Sequence, residues 1–364
     1  MQPATNVRYV LYHNDGQGQD VQQVVQPVGT IPVHGQPGAI YPIITNHAGG
    51  AASSQPNIGT GLAPLPNGNS VMYGNDGHTA EPHSWPWQLG VASTGRNWEN
   101  FTMIGPRAHF KGCGATLISE DLVVTAAHCI ARPFIFEYYP NDIWQTLNET
   151  CVFAAAHDLT KADAERVQCV KIKRAWFDPR YTRYGTLDGD IVVLQLVTPM
   201  TLSDKVYPVC LPEQDVAPNT RCIATGWGRY GSPDERAANV LQQAELVVRS
   251  QQDCVTQFDA GDFWSSYQPS TMICAMGDQP VRDRHGVCKG DSGGPLNCED
   301  TSGKWVYYGI ISWGPTTTCD NPTEPDVFAR VAVYAQDIRS IMNGDDGYGA
   351  LILLREYHDN QNPF

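Results

Sequence analysis

The chain has 364 residues, 41% of them hydrophobic, enough for two packed domains or one large domain with extensions. A net charge of −14 and a pI near 5.0 exclude a nucleic-acid binder, which needs a basic face. All 11 cysteines lie at or after Cys113, which points to an oxidising compartment, and no apolar stretch is long enough to span a membrane.

Residues 1–72 are rich in Gln, Gly, Pro, Asn and Val and contain no cysteine. They lack the periodic apolar faces that offset ordering entropy, so a largely disordered pro-region or linker is expected, with a Gln-rich interaction segment as the alternative. The Met1 end carries a short apolar run without a continuous apolar core, so no secretory leader is recognisable. Cysteine content and leader disagree. The cysteines are the stronger signal, and secretion from a longer precursor is expected.

From Ser84-Trp85-Pro86-Trp87-Gln88 the texture changes to short apolar runs broken by Gly, Pro, Asn and Asp. Leu117-Ile118, Leu122-Val123-Val124, Val170-Lys171-Ile172, Leu246-Val247-Val248 and Tyr307-Tyr308-Gly309-Ile310-Ile311-Ser312 are examples, and their spacing suits an all-β barrel or sandwich. Residues 333–342 repeat apolar side chains at helical spacing, predicting a short amphipathic helix. The tail, residues 344–364, holds Ala350-Leu351-Ile352-Leu353-Leu354, too short to cross a bilayer. It packs on the body or meets a partner; its composition leaves both open. Asn100-Phe101-Thr102 and Asn148-Glu149-Thr150 are glycosylation sequons in a secreted chain.

Chemistry concentrates in three places. Gly290-Asp291-Ser292-Gly293-Gly294-Pro295 sets a serine among glycines, whose free φ lets backbone N–H groups point at a bound carbonyl. A serine needs a base, and Thr125-Ala126-Ala127-His128-Cys129 offers one. The base needs an orienting carboxylate. Asp190 opens the apolar run Ile191-Val192-Val193-Leu194-Gln195-Leu196, and Asp188 competes for the role. Singly, each has a bland reading: a tight turn, a structural histidine, a turn aspartate. Their joint occurrence in the order His, Asp, Ser resembles the chymotrypsin-type serine proteases over about residues 84–343.

That resemblance implies two six-stranded antiparallel β-barrels over residues 73–343, with a catalytic cleft between them and a C-terminal α-helix. His128, Asp190 and Ser292 take the triad roles, and the N–H groups of Gly290 and Ser292 form the oxyanion hole, worth about 3–4 kcal/mol per donor. Ser312-Trp313-Gly314 matches the segment that pairs with substrate backbone. The family pattern pairs Cys113 with Cys129, Cys222 with Cys298, Cys254 with Cys274 and Cys288 with Cys319. Cys151 and Cys169 flank a hairpin and make a further pair, which leaves Cys210 as a free thiol or an intermolecular bond. The extra residues at 132–150, between His128 and Asp190, are expected in a surface loop.

The pocket base departs from the trypsin-like pattern. Gly286 stands where those relatives carry an aspartate, and Asp326 stands on the opposite wall, as in crab collagenase-type members. Acceptance of Arg and Lys together with large apolar residues is expected, the alternative being an internally satisfied Asp326 and a chymotrypsin-like pocket. Activation in the family frees an amine that buries beside the aspartate preceding the serine, here Asp291. No Lys or Arg occurs between Arg8 and Arg96, so the cut falls in residues 71–77 by a non-tryptic protease, or the chain stays zymogen-like. The partners implied are protein or peptide substrates and macromolecular protease inhibitors, with no metal or organic cofactor. The rival reading is a non-catalytic binding protein on the same fold.

Overall fold

The computed structural model of the protein describes residues 9–14, 20–25, 79–94, 109–131, 140–161, 167–182, 187–229, 237–259, 267–277, 286–314, 324–346 and 349–354. The chain divides into two units, Met1–Pro56 and Asn57–Phe364. In the first, β1 (Tyr9–Asn14) pairs antiparallel with β2 (Asp20–Val25), Tyr9 opposite Val25 and Asn14 opposite Asp20. The described part of the low-complexity segment is therefore a hairpin of two strands.

The second unit holds two antiparallel barrels. The first is built from β3 (Gln88–Ser93), β4 (Phe110–Leu117), β5 (Leu122–Thr125), β6 (Thr150–Ala154), β7 (Gln168–Phe177) and β8 (Val192–Leu196) in the order β7-β6-β3-β4-β5-β8, closed by pairing of β7 with β8. The second closes β9 (Arg221–Gly226), β10 (Gln242–Val248), β11 (Met272–Met276), β12 (Pro295–Glu299), β13 (Trp305–Trp313) and β14 (Asp326–Arg330) in the order β10-β11-β14-β13-β12-β9. Neighbouring β5 and β8 are buried on both faces at Leu122, Val123, Val124, Val192, Val193 and Leu194. Their β-branched side chains favour the extended backbone, and each buried one contributes about 1.5–3 kcal/mol.

The Trp85-Pro86-Trp87-Gln88 stretch that marks the change of texture in the sequence crosses between the barrels. Trp85 Nε1 donates to Gln243 Oε1 at 2.9 Å and Trp87 Nε1 to Asn297 Oδ1 at 3.0 Å. Thr225 Oγ1 donates to Gln88 Oε1 at 2.6 Å. Gln88, Gln243, Thr225 and Asn297 are all buried, so breaking one bond leaves a desolvated polar atom without its partner.

Three helices accompany the barrels among the described residues: α1 (Pro140–Asn148), α2 (Gln251–Asp259) and α3 (Val331–Met342). Helix α3 begins two residues before the predicted position and buries Val331, Tyr334, Ala335, Ile338 and Ile341, one face of a helix. Helix α1 lies in the stretch expected to be a surface loop. Ile143 and Leu147, one turn apart, are buried and anchor it. Residues 132–139 of the same stretch lie outside the described residues.

The tail packs on the body. Gly349 at φ +121° turns the chain after α3, and Ala350 N donates to Asp337 Oδ2 at 2.7 Å. Strand β15 (Ile352–Leu353) then pairs with β7, Ile352 opposite Phe177 and Leu353 opposite Trp176, while Leu351 is buried. Residues 168–171 of β7 pair with β6, so β15 takes the edge that β6 leaves open and makes a seventh strand on the first barrel.

Disulfides join Cys113 to Cys129, Cys151 to Cys169, Cys222 to Cys298 and Cys254 to Cys274. Cys288 is also disulfide-bonded, and Cys319 lies outside the described residues. Cys210 is a free, partly buried thiol.

Candidate active site

The histidine stands where β5 ends. Ala126 is extended, and Ala127–Cys129 forms a single 3-10 turn carrying His128. Two ties fix that turn: the Cys113–Cys129 disulfide, and the hydroxyl of Thr125, which donates to Gly114 O at 2.7 Å. From the other side, the buried Tyr181 hydroxyl donates to Ala131 O at 2.6 Å.

Asp190 heads β8, behind Gly189 at φ +70°. A Cβ at Gly189 would fall 2.6 Å from Asp178 Cγ, so the turn needs glycine for both its φ and its contact. Asp178 is held in place by Arg180, and the Tyr334 hydroxyl of α3 donates to it at 2.7 Å. Asp190 is fully buried and accepts three hydrogen bonds: from His128 N at 2.9 Å, His128 Nδ1 at 2.7 Å and Ser312 Oγ at 2.5 Å. A carboxylate can only accept, so Nδ1 carries a proton and Nε2 is left as a base. The rival Asp188 is engaged elsewhere, by Thr271 Oγ1 at 2.5 Å.

Burial opposes charge on both members of this pair, and their interaction outweighs it. Burial alone lowers the His128 pKa, but the charge and hydrogen bond of Asp190 raise it above the ordinary 6.5. Burial alone raises that of Asp190, but His128, by charge and hydrogen bond, and then Ser312 bring it below the ordinary carboxylate value.

The first barrel holds the serine loop. Gly114 N donates to Ser292 O at 2.8 Å, and that oxygen also lies 3.6 Å from Cys129 Sγ, next to His128. Gly293 has φ +79°, and a Cβ there would fall 2.1 Å from Thr125 Oγ1 and 2.5 Å from Gly114 O. Only glycine lets the serine loop approach the histidine strand this closely. On the second-barrel side, Gly293 N donates to Ile311 O at 2.7 Å and Gly294 N to Asp291 O at 2.9 Å. Gly290 stands at φ +109°, its Cα side against Gly228. The serine loop is thus gripped by both barrels.

Asp291 is held by two backbone donors. Its Oδ1 accepts from Gly228 N at 2.7 Å and its Oδ2 from Cys288 N at 2.9 Å. Glycine at 226 and 228 makes room for it, since a Cβ at either would lie within 2.4 Å of a carboxylate oxygen. Burial outweighs the two donors and pushes its pKa up to about 6. No cationic side chain among the described residues pairs with it.

Gly286 and Val287 precede the serine loop, and Ser312 and Trp313 end β13, with Gly314 next in the chain. Trp313 packs on Phe258 of α2, centroids 5.1 Å apart, and Phe258 stacks on Tyr267 at 5.3 Å. Asp326 reaches both segments. Its Oδ2 accepts from Val287 N at 3.1 Å, and its Oδ1 lies 2.9 Å from where a Cβ on Gly314 would stand. The residue keeps some exposed surface, but burial of its carboxylate pushes the pKa up to about 7, with the nearby Asp291 charge adding to the rise.

Tyr181, the Asp178–Arg180–Tyr334 group and Phe258 were missed by sequence reasoning, because each acts through a residue distant in the chain. Among the described residues the one grouping with metal-ligand proximity is Cys113, His128 and Cys129, whose two sulfurs are already joined to each other. Asn148 is exposed at the end of α1, whereas Asn100 and residues 71–77 lie outside the described residues.

A protein-family comparison matches the description Trypsin over residues 75–338. The chain is 31% identical to chymotrypsin-C of Rattus norvegicus over 260 residues, 71% of this chain and 84% of that protein. Among solved structures it is similar to neuropsin, a serine protease expressed in the limbic system of mouse brain, at 27% identity and a TM-score of 0.56, covering 73% of this chain and 98% of that one.

Proposed function

This chain belongs to the trypsin family of serine proteases, and we propose that it is a secreted endopeptidase with His128, Asp190 and Ser292 as its triad. The observation that carries the assignment is the three-fold anchoring of Asp190, two of whose bonds come from His128. In the proposed mechanism Ser292 Oγ attacks the scissile carbonyl and His128 Nε2 takes its proton. The C–N bond then breaks as the imidazolium returns that proton to the leaving amine. Asp190 holds the tautomer and stabilises the imidazolium, and water repeats the sequence on the acyl-enzyme. The N–H groups of Gly290 and Ser292 serve as the oxyanion hole, and Ser312, Trp313 and Gly314 pair with the substrate backbone.

Gly286 and Asp326 set the primary pocket, which takes Arg or Lys and also large apolar side chains. A pocket carboxylate with a single backbone donor supports the cationic half of that reading. Asp291 has the activation role: a desolvated carboxylate without a cationic side chain calls for one, and an amine freed within residues 71–77 supplies it. Macromolecular protease inhibitors are the expected partners besides substrates. Asn100 and Asn148 are the glycosylation sites, and Cys210 is available for an intermolecular bond.

A fluorophosphonate probe on the secreted protein, with adduct mapping, tests the core of this reading. Labelling is expected at Ser292 and is abolished in Ser292→Ala, together with peptide hydrolysis, which falls on the order of 10⁴–10⁶-fold. A folded, disulfide-intact protein that has been cut within residues 71–77 and still takes no label would refute it.

A further inference from the structure

We infer that Asp326 makes the primary pocket select by pH: ionised, it favours Arg and Lys, and protonated, it favours large apolar side chains. The inference rests on the protease reading above and deepens it.

The geometry leaves this carboxylate under-partnered. One oxygen has one backbone donor, Val287 N, and the other faces the Gly314 wall with none. From the strands packed on β14, β11 contributes Ala275, the register partner of Asp326, and the end of β13 contributes uncharged Gly314. From the segment leading to the serine come the Val287 N–H and the carboxylate of Asp291, a like charge. Gly286 adds no side chain to the floor. No described group therefore holds Asp326 in one protonation state.

A bound Arg or Lys supplies the missing counter-charge, so it selects the ionised pocket. An apolar side chain seals the carboxylate from water with nothing to compensate its charge, so it selects the protonated pocket. Burial already places the titration of Asp326 near about 7, where ordinary changes of pH switch its state. Raising pH removes the proton and shifts the choice toward cationic side chains; lowering pH shifts it back.

The test compares kcat/KM for two peptide substrates alike except for Arg or Phe at the cleaved position, from about pH 5.5 to about pH 8.5. Both reactions start from the same free enzyme, so the titration of His128 cancels in their ratio. The Arg-to-Phe ratio is expected to rise at least ~10-fold with pH in the wild type and to stay flat, at a lower value, in Asp326→Asn. Should that variant not fold, benzamidine inhibition of the wild type replaces it, the inhibition constant falling as pH rises. A pH-independent ratio with both substrates cleaved, or the same slope in Asp326→Asn, overturns the inference and leaves the protease reading intact. Absence of any Ser292-dependent turnover overturns both.

Discussion

The two barrels hold the same side chain at opposite ends of one scale, fully paired ahead of β8 and barely paired on β14. At one end Asp190 is fully buried and meets three donors, one a histidine able to carry charge; its pKa falls below the ordinary carboxylate range. At the other end Asp326 is also desolvated but meets one donor and a neighbouring negative charge, and its pKa climbs to about 7. Burial pushes both the same way, so partners alone account for the difference. A carboxylate that must stay ionised as a fixed orienter is surrounded with donors, whereas one left waiting is completed by what binds.

The largest effect expected from disturbing this contrast is at the well-tied end. Asp190→Asn puts an amide where Nδ1–H needs an acceptor, and kcat should fall on the order of 10⁴-fold with the fold retained, as steady-state kinetics and circular dichroism would register. Ser312→Ala removes one of the three donors and moves Asp190 part of the way toward the condition of Asp326. A hydrogen bond to a charged group contributes about 1.5–3 kcal/mol, so kcat/KM should drop roughly 10- to 100-fold. An unchanged value would mean that His128 alone keeps Asp190 ionised.

The smallest effect falls on stability. The raised pKa of Asp326 means that the folded state holds its proton more tightly than the unfolded state does. The contribution of Asp326 to stability is therefore highest below the unfolded value of 3.8 and declines as pH rises toward about 7. Asp326→Asn lacks that group, so its melting temperature should decline less between about pH 5 and about pH 8, by a few degrees at most. Calorimetry at the two pH values decides this, and equal declines would show that water reaches the carboxylate.

Much of the site was legible because its chemistry is local. Gly290-Asp291-Ser292-Gly293-Gly294 and the turn around His128 carry their function in adjacent residues, since small side chains and a sharp backbone turn are short-range requirements. The choice of Asp190 over Asp188 was less so: the two stand two residues apart, and only the chain path sends one to His128 and the other to Thr271. Among the described side chains of α1 the buried ones are Ile143 and Leu147, a single apolar pair one turn apart and too sparse a signal for a helix face.

What the sequence determined by itself was the family resemblance, the strand-rich texture and the closing helix, all written in contiguous residues or fixed periods. Only the tertiary structure decided that the tail adds β15 to the first barrel, because the open edge of β7 appears only once β6 has ended. It also decided how many donors each buried aspartate meets. Asp190 takes its three from segments more than 60 and more than 120 residues apart along the chain, and no window of sequence contains such a count.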